Sequence, residues 1–315
     1  MKIDLTSAKR KLSSEIRGLV YLLAVLSAAP GMLGNPARAW ADSPLEMTVS
    51  QLRALPPEAT VVLDTRPIWS FLLGHIPGAQ ITGTWETYTV HRNGVPGLIN
   101  RDRTFWTRKL RSLGIDYSKT LVIYGDPESK WREDGRFFWM MEFLGFPRVA
   151  LLRGGYEAWK EAGFEIERGR ADSPPPVSLR PEDIRFNEST VADQQWILKR
   201  LGSPDLVVVD NRERSEYDGA TPYGSPRGGH IPGALHLDWR EFFDSQGRLK
   251  PRNQLESLIR NQGIRPGQEI VVYCTGGVRS AMAYFVFRVL GYRVRNYDGS
   301  WWDWSHNPSL PVESS

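Results

Sequence analysis

The hexapeptide Gly-His-Ile-Pro-Gly-Ala stands at residues 74–79 and again at residues 229–234. Each copy follows a short apolar run that ends in Asp-x-Arg, at Asp64-Thr65-Arg66 and at Asp210-Asn211-Arg212. The two aspartates lie 146 residues apart in the numbering, whereas the units of solenoid repeats are about 20–50 residues long. The chain therefore contains two copies of one domain.

Short β-branched runs alternate with helical patterns around these landmarks. The runs that look like strands are residues 61–63, 121–124, 206–209 and 270–273. Continuous apolar strands separated by helices are typical of parallel sheets that are covered on both faces. We predict an α/β fold with two such domains, at residues 46–167 and 182–310, joined by a proline-rich linker at residues 168–181.

The composition is that of a globular chain, with 41% hydrophobic and 24% charged residues among 315. Lysine and arginine total 40 against 36 acidic residues, but six of the basic and two of the acidic residues precede Trp40. The remaining 34 of each sign balance, so a nucleic-acid partner is not indicated. Because Cys274 is the only cysteine, an intramolecular disulfide and a zinc site with several thiolates are excluded. We expect no metal and no other cofactor.

Residues 1–39 have the pattern of a secretory signal peptide. Five basic residues precede the uncharged stretch at residues 18–29, and small residues allow cleavage after Ala39 or Ala41. The alternative is a membrane anchor, since residues 18–37 carry no charge, although proline and glycine make their second half a poor helix. We expect an exported, periplasmic protein that contacts a membrane only if the leader stays attached.

Cys274 is placed where a nucleophile would be. It ends the run at residues 270–273, and the C-terminal ends of parallel strands are where α/β folds bind their ligands. The sequence Thr275-Gly276-Gly277-Val278-Arg279 follows, and then a helical pattern at residues 280–290. Inward-turned loop amides, a helix N-terminus and an arginine together lower the pKa of a thiol. This pattern predicts a reactive thiolate rather than a small cysteine buried for packing.

These features together resemble the tandem-domain rhodaneses, a family of sulfurtransferases. The resemblance rests on the duplicated hexapeptide and Asp-x-Arg motifs, the loop at residues 274–279, and Asp298-Gly299-Ser300-Trp301, and it extends over about residues 46–308. It implies an inactive first domain and a catalytic second domain whose Cys274 carries a persulfide between half-reactions. The position of Cys274 in the first copy is Gly125.

The resemblance implies a ping-pong reaction with a small anionic sulfur donor and a thiol or cyanide acceptor. Cys274 attacks the outer sulfur of thiosulfate, sulfite leaves, and the acceptor then takes the sulfur from the persulfide. The amides of the loop, from Thr275 through Gly276 and Gly277 to Val278, would hold that persulfide. Two alternatives stay open. The donor could be 3-mercaptopyruvate, because Thr275-Gly276 fits neither of the loop patterns known for the two donors, and the chain could be a sulfur carrier of low turnover, because Glu216 stands where a donor-binding arginine is expected. Phosphatase activity is a minor alternative, since the related phosphatases have five residues between cysteine and arginine and this loop has four.

The arginine that would hold the donor is not settled by the sequence. Arg279 either binds the oxyanion of the donor or leaving group, or pairs with a structural carboxylate. Two-domain rhodaneses often have an arginine six residues beyond the strand-end aspartate, where this chain has Glu216. Arg212 is our candidate substrate ligand in its place, with Arg214 or Arg227 as other substitutes. The first copy also has an arginine at the position of Arg212, which favours a structural ion pair instead.

Histidines and aromatic clusters have simpler interpretations. His75 and His230 occur in both copies, one of which lacks the cysteine, so we expect them to stabilise loops. The tryptophans at 301, 302 and 304 and the aromatic run at residues 137–139 are expected in the core or the domain interface. No comb of basic residues is interleaved with them, as a nucleic-acid platform would need.

Overall fold

The computed structural model describes residues 45–314. The strands of the first domain are β1 (Glu46–Met47), β2 (Thr60–Asp64), β3 (Gln80–Ile81), β4 (Thr89–Arg92), β5 (Val95–Ile99), β6 (Thr120–Tyr124) and β7 (Val149–Leu152). Its helices are α1 (Val49–Arg53), α2 (Ile68–Leu73), α3 (Arg103–Ser112), α4 (Glu133–Phe143) and α5 (Gly155–Glu161).

The second domain repeats this pattern without the β4–β5 hairpin. Its strands are β8 (Val191–Ala192), β9 (Leu206–Asp210), β10 (Leu235–His236), β11 (Glu269–Tyr273) and β12 (Arg293–Tyr297). Its helices are α6 (Gln194–Leu198), α7 (Arg214–Tyr217), α8 (Arg252–Asn261), α9 (Arg279–Val289) and α10 (Ser300–His306).

The two sheets have the same strand order, and all their strands are parallel. The first sheet is ordered β1-β7-β6-β2-β3 and the second β8-β12-β11-β9-β10. Asp64 lies beside Tyr124 in the first sheet as Asp210 lies beside Tyr273 in the second. The duplication inferred from sequence is therefore a duplication of topology and register.

Each sheet is covered by helices on both faces, as the apolar strands predict. All five residues of β6 are buried. Successive side chains of a strand point to opposite faces, so Leu121 and Ile123 join one hydrophobic core and Val122 and Tyr124 join another. The first core includes buried residues of α3 and α4, and the second includes buried residues of α1, α2 and α5.

One hydrophobic core continues through both domains and contains α4 and α9. The rings of Phe138 and Phe285 meet edge to face there with their centroids 5.0 Å apart. A Cβ added to Gly135 would lie 2.6 Å from the Cα of Met282, so only glycine allows these helices to approach so closely. The first domain is thereby packed directly against the helix that follows the cysteine loop.

The remaining predicted segments are a linker and a leader. Residues 168–180 contain no helix or strand and lie along the first domain, where the Gln80 side chain donates to the carbonyl of Asp172. The predicted signal peptide lies outside the described residues. Within residues 45–314, no helix is long and apolar enough to cross a membrane.

Candidate active site

Cys274 is the first residue after β11, and a four-residue loop joins it to α9. Two glycines give this loop its shape. Gly277 has φ +78°, and a Cβ there would lie 2.5 Å from the carbonyl oxygen of Asp298. A Cβ on Gly276 would lie 2.3 Å from the ring of Trp302. The loop therefore packs tightly against α10 and against the turn that precedes α10. A side chain at either glycine would clash there and displace the loop.

The thiol of Cys274 is buried, with 1% of the residue exposed, and the loop supplies its polar contacts. The amide of Gly277 donates to Sγ at 3.2 Å, and the amide of Cys274 donates to Oγ of Ser300 at 3.1 Å. Burial alone would raise the pKa of the thiol, but the charge of Arg279 and hydrogen bonds from Ser280 and Gly276 outweigh it. The net pKa of Cys274 is lowered, as a thiolate nucleophile requires.

Arg279 is held by a carboxylate that also lies beside the loop. Its Nη1 and Nη2 donate to the two oxygens of Glu216 at 2.6 and 2.9 Å, and Nη2 also donates to Oγ1 of Thr275 at 2.6 Å. The Thr275 hydroxyl in turn donates to Glu216 at 2.6 Å. Burial opposes ionisation of Glu216, but these donors leave its pKa lowered. Both interpretations of Arg279 thus have a basis, because it pairs with a carboxylate and also lines the cavity above Cys274.

The structure does not place Arg212 among the residues that could touch a donor, which corrects that expectation. Its guanidinium is 1% exposed and binds Asp210 with an Nη2–Oδ2 distance of 2.6 Å. It also donates to the carbonyl of Gly229 at 2.7 Å, which ties β9 to the hexapeptide. Burial alone would lower the pKa of Arg212, but the charge of Asp210, the hydrogen bond to it and the nearby Tyr273 and Glu216 together raise it. Its role is structural.

The other two substitutes are also engaged elsewhere. Arg227 donates to four backbone carbonyls at and beyond the end of α10, at 2.6 to 3.0 Å. Arg214 is exposed and forms a salt bridge with Asp218 at 2.9 Å. Glu216, at the position where an arginine was expected, is the one of these residues that reaches the loop.

A buried arginine of the first domain supports the loop of the second, and it was not among the site residues predicted from the sequence. Arg136 on α4 is fully buried and donates to the carbonyl of Gly277 at 3.0 Å and to Oδ1 of Asp298 at 2.7 Å. It also donates to the carbonyl of Gly97 at 2.9 Å. The signal in the sequence was a positive charge directly before the apolar run at residues 137–141, because a charge that is buried with such a run needs a partner.

Above Cys274 is a cavity of about 200 Å³ that both domains line. Its lining residues are Trp85, Glu86, Trp131 and Glu133 from the first domain, and Tyr223, Cys274, Thr275, Gly276, Val278, Arg279 and Trp302 from the second. Trp302 therefore belongs to the site, whereas Trp301 and Trp304 lie in the core as predicted. Gly277 contributes through its amide. Trp131, Tyr223 and the two glutamates were not foreseen, because they come from distant segments without a motif.

His75 and His230 do not line this cavity, and they have equivalent surroundings in the two domains. The ring of His75 stacks on Phe71 at 3.7 Å, and that of His230 stacks on Tyr217 at 3.6 Å. Each Nδ1 lies at hydrogen-bond distance from a backbone carbonyl. Among residues 45–314, no group of three or more histidine, cysteine or acidic side chains could hold a metal ion.

Two parallel α/β domains and a cysteine of lowered pKa at a strand end define the class of two-domain α/β proteins with a thiolate site. The chain belongs to the rhodanese family, since the family profile described as "Rhodanese-like domain" matches residues 48–162 and 193–307. The prediction of a tandem rhodanese sulfurtransferase is thereby confirmed.

Three relatives illustrate the range of the family. The chain is 31% identical over 276 residues to the thiosulfate sulfurtransferase of Azotobacter vinelandii, covering 87% of this chain and 98% of that protein. It is 30% identical over 281 residues to the sulfur carrier protein TtuD of Thermus thermophilus, covering 81% and 91%. The crystal structure of SseA from Escherichia coli, described among 3-mercaptopyruvate sulfotransferases, matches with a TM-score of 0.71 at 26% identity, covering 82% and 99%.

Proposed function

We propose that this chain moves a sulfane sulfur from thiosulfate to cyanide or a thiol through a persulfide on Cys274. The observation that carries the proposal is the environment of the Cys274 thiol. Sγ of Cys274 lies against the Gly277 amide at 3.2 Å, beneath a cavity and beside Arg279, whose charge helps to lower the pKa of the thiol.

In the first half-reaction the Cys274 thiolate attacks the outer sulfur of thiosulfate. A bond forms between Sγ and that sulfur while the sulfur–sulfur bond of thiosulfate breaks, and the electron pair leaves with sulfite. Arg279 stabilises the negative charge near Sγ, because among residues 45–314 no other basic residue lines the cavity. Loop amides are the donors that can hold the outer sulfur of the persulfide.

In the second half-reaction a nucleophilic acceptor attacks the outer sulfur. The disulfide-type bond to Sγ breaks, its electron pair returns to Cys274, and cyanide leaves as thiocyanate or a thiolate leaves as its persulfide. The lowered pKa of Cys274 favours this step as well, because a more stable thiolate is a better leaving group.

The test is thiocyanate formation from thiosulfate and cyanide by the purified protein. We expect Cys274→Ser to abolish it, since no other cysteine exists in the chain. Intact mass spectrometry after thiosulfate alone should show a gain of about 32 Da, the mass of one sulfur atom, on wild type only. Full activity in Cys274→Ser would refute the mechanism.

A sulfur carrier is the second candidate, because Glu216 already holds the arginine nearest to the thiol. A carrier would accept sulfur and show the mass gain, yet release little thiocyanate. A donor comparison, thiosulfate against 3-mercaptopyruvate at equal concentration, separates the two enzyme alternatives.

The proposal includes export to the periplasm, on the basis of the basic and then uncharged sequence of residues 1–39. Expression of the full chain in a Gram-negative bacterium, followed by fractionation and intact mass, tests it. We expect periplasmic protein that begins at Trp40 or Asp42, and an uncleaved, membrane-bound product would instead support the anchor.

A further inference from the structure

We infer that the cavity above Cys274 is built for a small organic cation, so that the acceptor it favours is a thiol that carries an ammonium group. The sulfur-transfer part of this inference rests on the proposed function, whereas the binding part does not.

Two carboxylates of the first domain face the cavity without a counterion. Glu133 is half-buried and accepts a hydrogen bond from Oγ of Ser129 at 3.2 Å, while Glu86 is exposed at the rim. Neither glutamate forms a salt bridge with any residue between 45 and 314. A partly buried carboxylate without a partner is unfavourable, and a cationic ligand would remove that cost.

Four aromatic side chains form much of the remaining lining, namely Trp85, Trp131, Tyr223 and Trp302. The rings of Trp131 and Tyr223 meet nearly at right angles with centroids 5.6 Å apart. Arg279 lies 5.4 and 5.5 Å from these two centroids, and the exposed Lys130, outside the lining, places Nζ 4.5 Å from the ring of Trp131. Aromatic faces attract cations of this kind, including quaternary ammonium groups.

The arginines at and near the cavity are already paired with carboxylates. Arg279 is the one basic residue in the lining within the described part of the chain, and both of its terminal nitrogens donate to Glu216. Arg240, the next arginine of this region, is paired with Asp238 at 2.6 Å and with Glu213 at 3.4 Å. Once Cys274 carries a thiolate or persulfide, an anionic acceptor would meet an excess of negative charge.

The chemical step is the same for a cationic thiol. Its thiolate attacks the outer sulfur of the Cys274 persulfide, the bond to Sγ breaks, and the electron pair returns to Sγ. The product is the persulfide of the acceptor, and its ammonium group stays against the aromatic rings and Glu133 throughout. The charge selects the acceptor and does not take part in bond breaking.

The first test measures binding without sulfur chemistry. Choline and propionate, at constant ionic strength, are titrated into Cys274→Ser while tryptophan fluorescence is recorded. We expect saturable quenching by choline, none by propionate, and binding about five- to tenfold weaker after Glu133→Gln. Glu128→Gln, which removes the same charge from an exposed site in the loop before α4, is the matched control and should bind choline normally. Equal binding of both probes, no saturation, or equal effects of the two variants would overturn the inference.

The second test measures both half-reactions of the full-length protein. Persulfide formed with thiosulfate is mixed with thiocholine, 2-mercaptoethanol or 3-mercaptopropionate, and rates are compared per thiolate. We expect the cationic thiol to be fastest and the anionic one slowest, by about tenfold overall. Glu133→Gln should slow the reaction with thiocholine and speed loading by thiosulfate, opposite changes that general damage to the fold cannot produce. An anionic thiol that is as fast as thiocholine overturns the inference. If wild type forms no persulfide, the proposed function fails, and the binding test still decides this inference.

Discussion

The loops that follow β6 and β11 occupy the same place in two copies of one domain, yet only one of them holds a thiol. The scaffold beneath them is the same. Arg66 binds Asp64, and Arg212 binds Asp210, each at 2.6 Å, and each arginine donates to a glycine carbonyl at 2.7 Å. These shared contacts therefore do not decide which loop reacts.

The difference lies in the charge at the start of the following helix. α4 begins with Glu133 and Asp134, whereas α9 begins with Arg279 and a serine. A Cβ on Gly125, the counterpart of Cys274, would lie 3.1 Å from Cγ of Asp134. A thiolate there would meet a carboxylate where Cys274 meets a guanidinium. The comparison shows that the two strand ends provide the same position for a cysteine, and that the charge at the start of the following helix decides whether a thiol there is reactive.

Moving the thiol from one loop to the other should give the largest effect. We expect Gly125→Cys combined with Cys274→Ser to transfer no sulfur, a loss of at least about 10³-fold, because Asp134 raises the pKa of the new thiol. Thiocyanate formation is the measurement. Gly125→Cys alone is the control for folding and should stay active. Recovery of even a tenth of the wild-type rate by the double variant would show that the strand end suffices.

Removing the charge of Arg279 should give the next largest effect. The pKa of Cys274 is lowered in wild type, so alkylation by iodoacetamide should have a midpoint below that of an ordinary thiol. In Arg279→Gln, the effect of burial on the pKa of Cys274 is no longer offset by a positive charge, so the midpoint of alkylation should rise. Each unit of increase in this pKa leaves about tenfold less thiolate at neutral pH. Glu216→Gln is the matched control, because it leaves Arg279 charged and should not raise the midpoint. Equal upward shifts in both variants would contradict the assignment.

The fold could be predicted from the sequence because its signals are local and repeated. The apolar runs and the duplicated Asp-x-Arg segments gave two parallel sheets, and the match of Gly125 to Cys274 agrees with the register at Tyr124 and Tyr273. The inward-turned loop amides could also be predicted, because two glycines after Cys274 are a local signal for a sharp turn of the backbone.

The partners within the site could not be predicted, because they are contacts between distant segments. Glu216 and Arg279 are 63 residues apart, and Arg136 reaches Gly277 across 141 residues. Periodicity assigns a residue to a face of a strand or helix, but it does not say which side chain meets it there. Arg212 is a different case, because its partner Asp210 is only two residues away, and the structural ion pair that the first copy already favoured is the one it forms.

The next prediction asks whether the first domain supports the active loop. Arg136→Met removes the donor to Gly277 and leaves the buried Asp298 without its counterion, so we expect kcat/KM to fall about tenfold and stability to fall by about 3–5 kcal/mol. Arg132→Met is a close match, because Arg132 is also buried, pairs with Asp134, and donates to a carbonyl of the second domain, that of Gly247. It should lose stability but keep kcat/KM. Urea unfolding and steady-state kinetics on both variants distinguish support of the loop from general destabilisation.

The smallest expected effect is on stability, and it concerns Ser300 and its counterpart in the first domain, Gly155. Ser300 has φ +51°, and its hydroxyl accepts from the amide of Cys274, whereas the first domain has Gly155 there with φ +55°. Ser300→Gly and Ser300→Ala both lose the hydrogen bond, but only alanine keeps the strain of a left-handed backbone. We therefore expect Ser300→Ala to be less stable than Ser300→Gly by about 1 kcal/mol in urea unfolding. If the two variants are equally stable, the conformation costs little, and the serine is retained for its hydroxyl alone. If Ser300→Gly is as stable as wild type but forms less thiocyanate, the serine hydroxyl positions Cys274 and the serine backbone is strained. The first domain has no thiol to position, and its glycine adopts the same conformation without that strain.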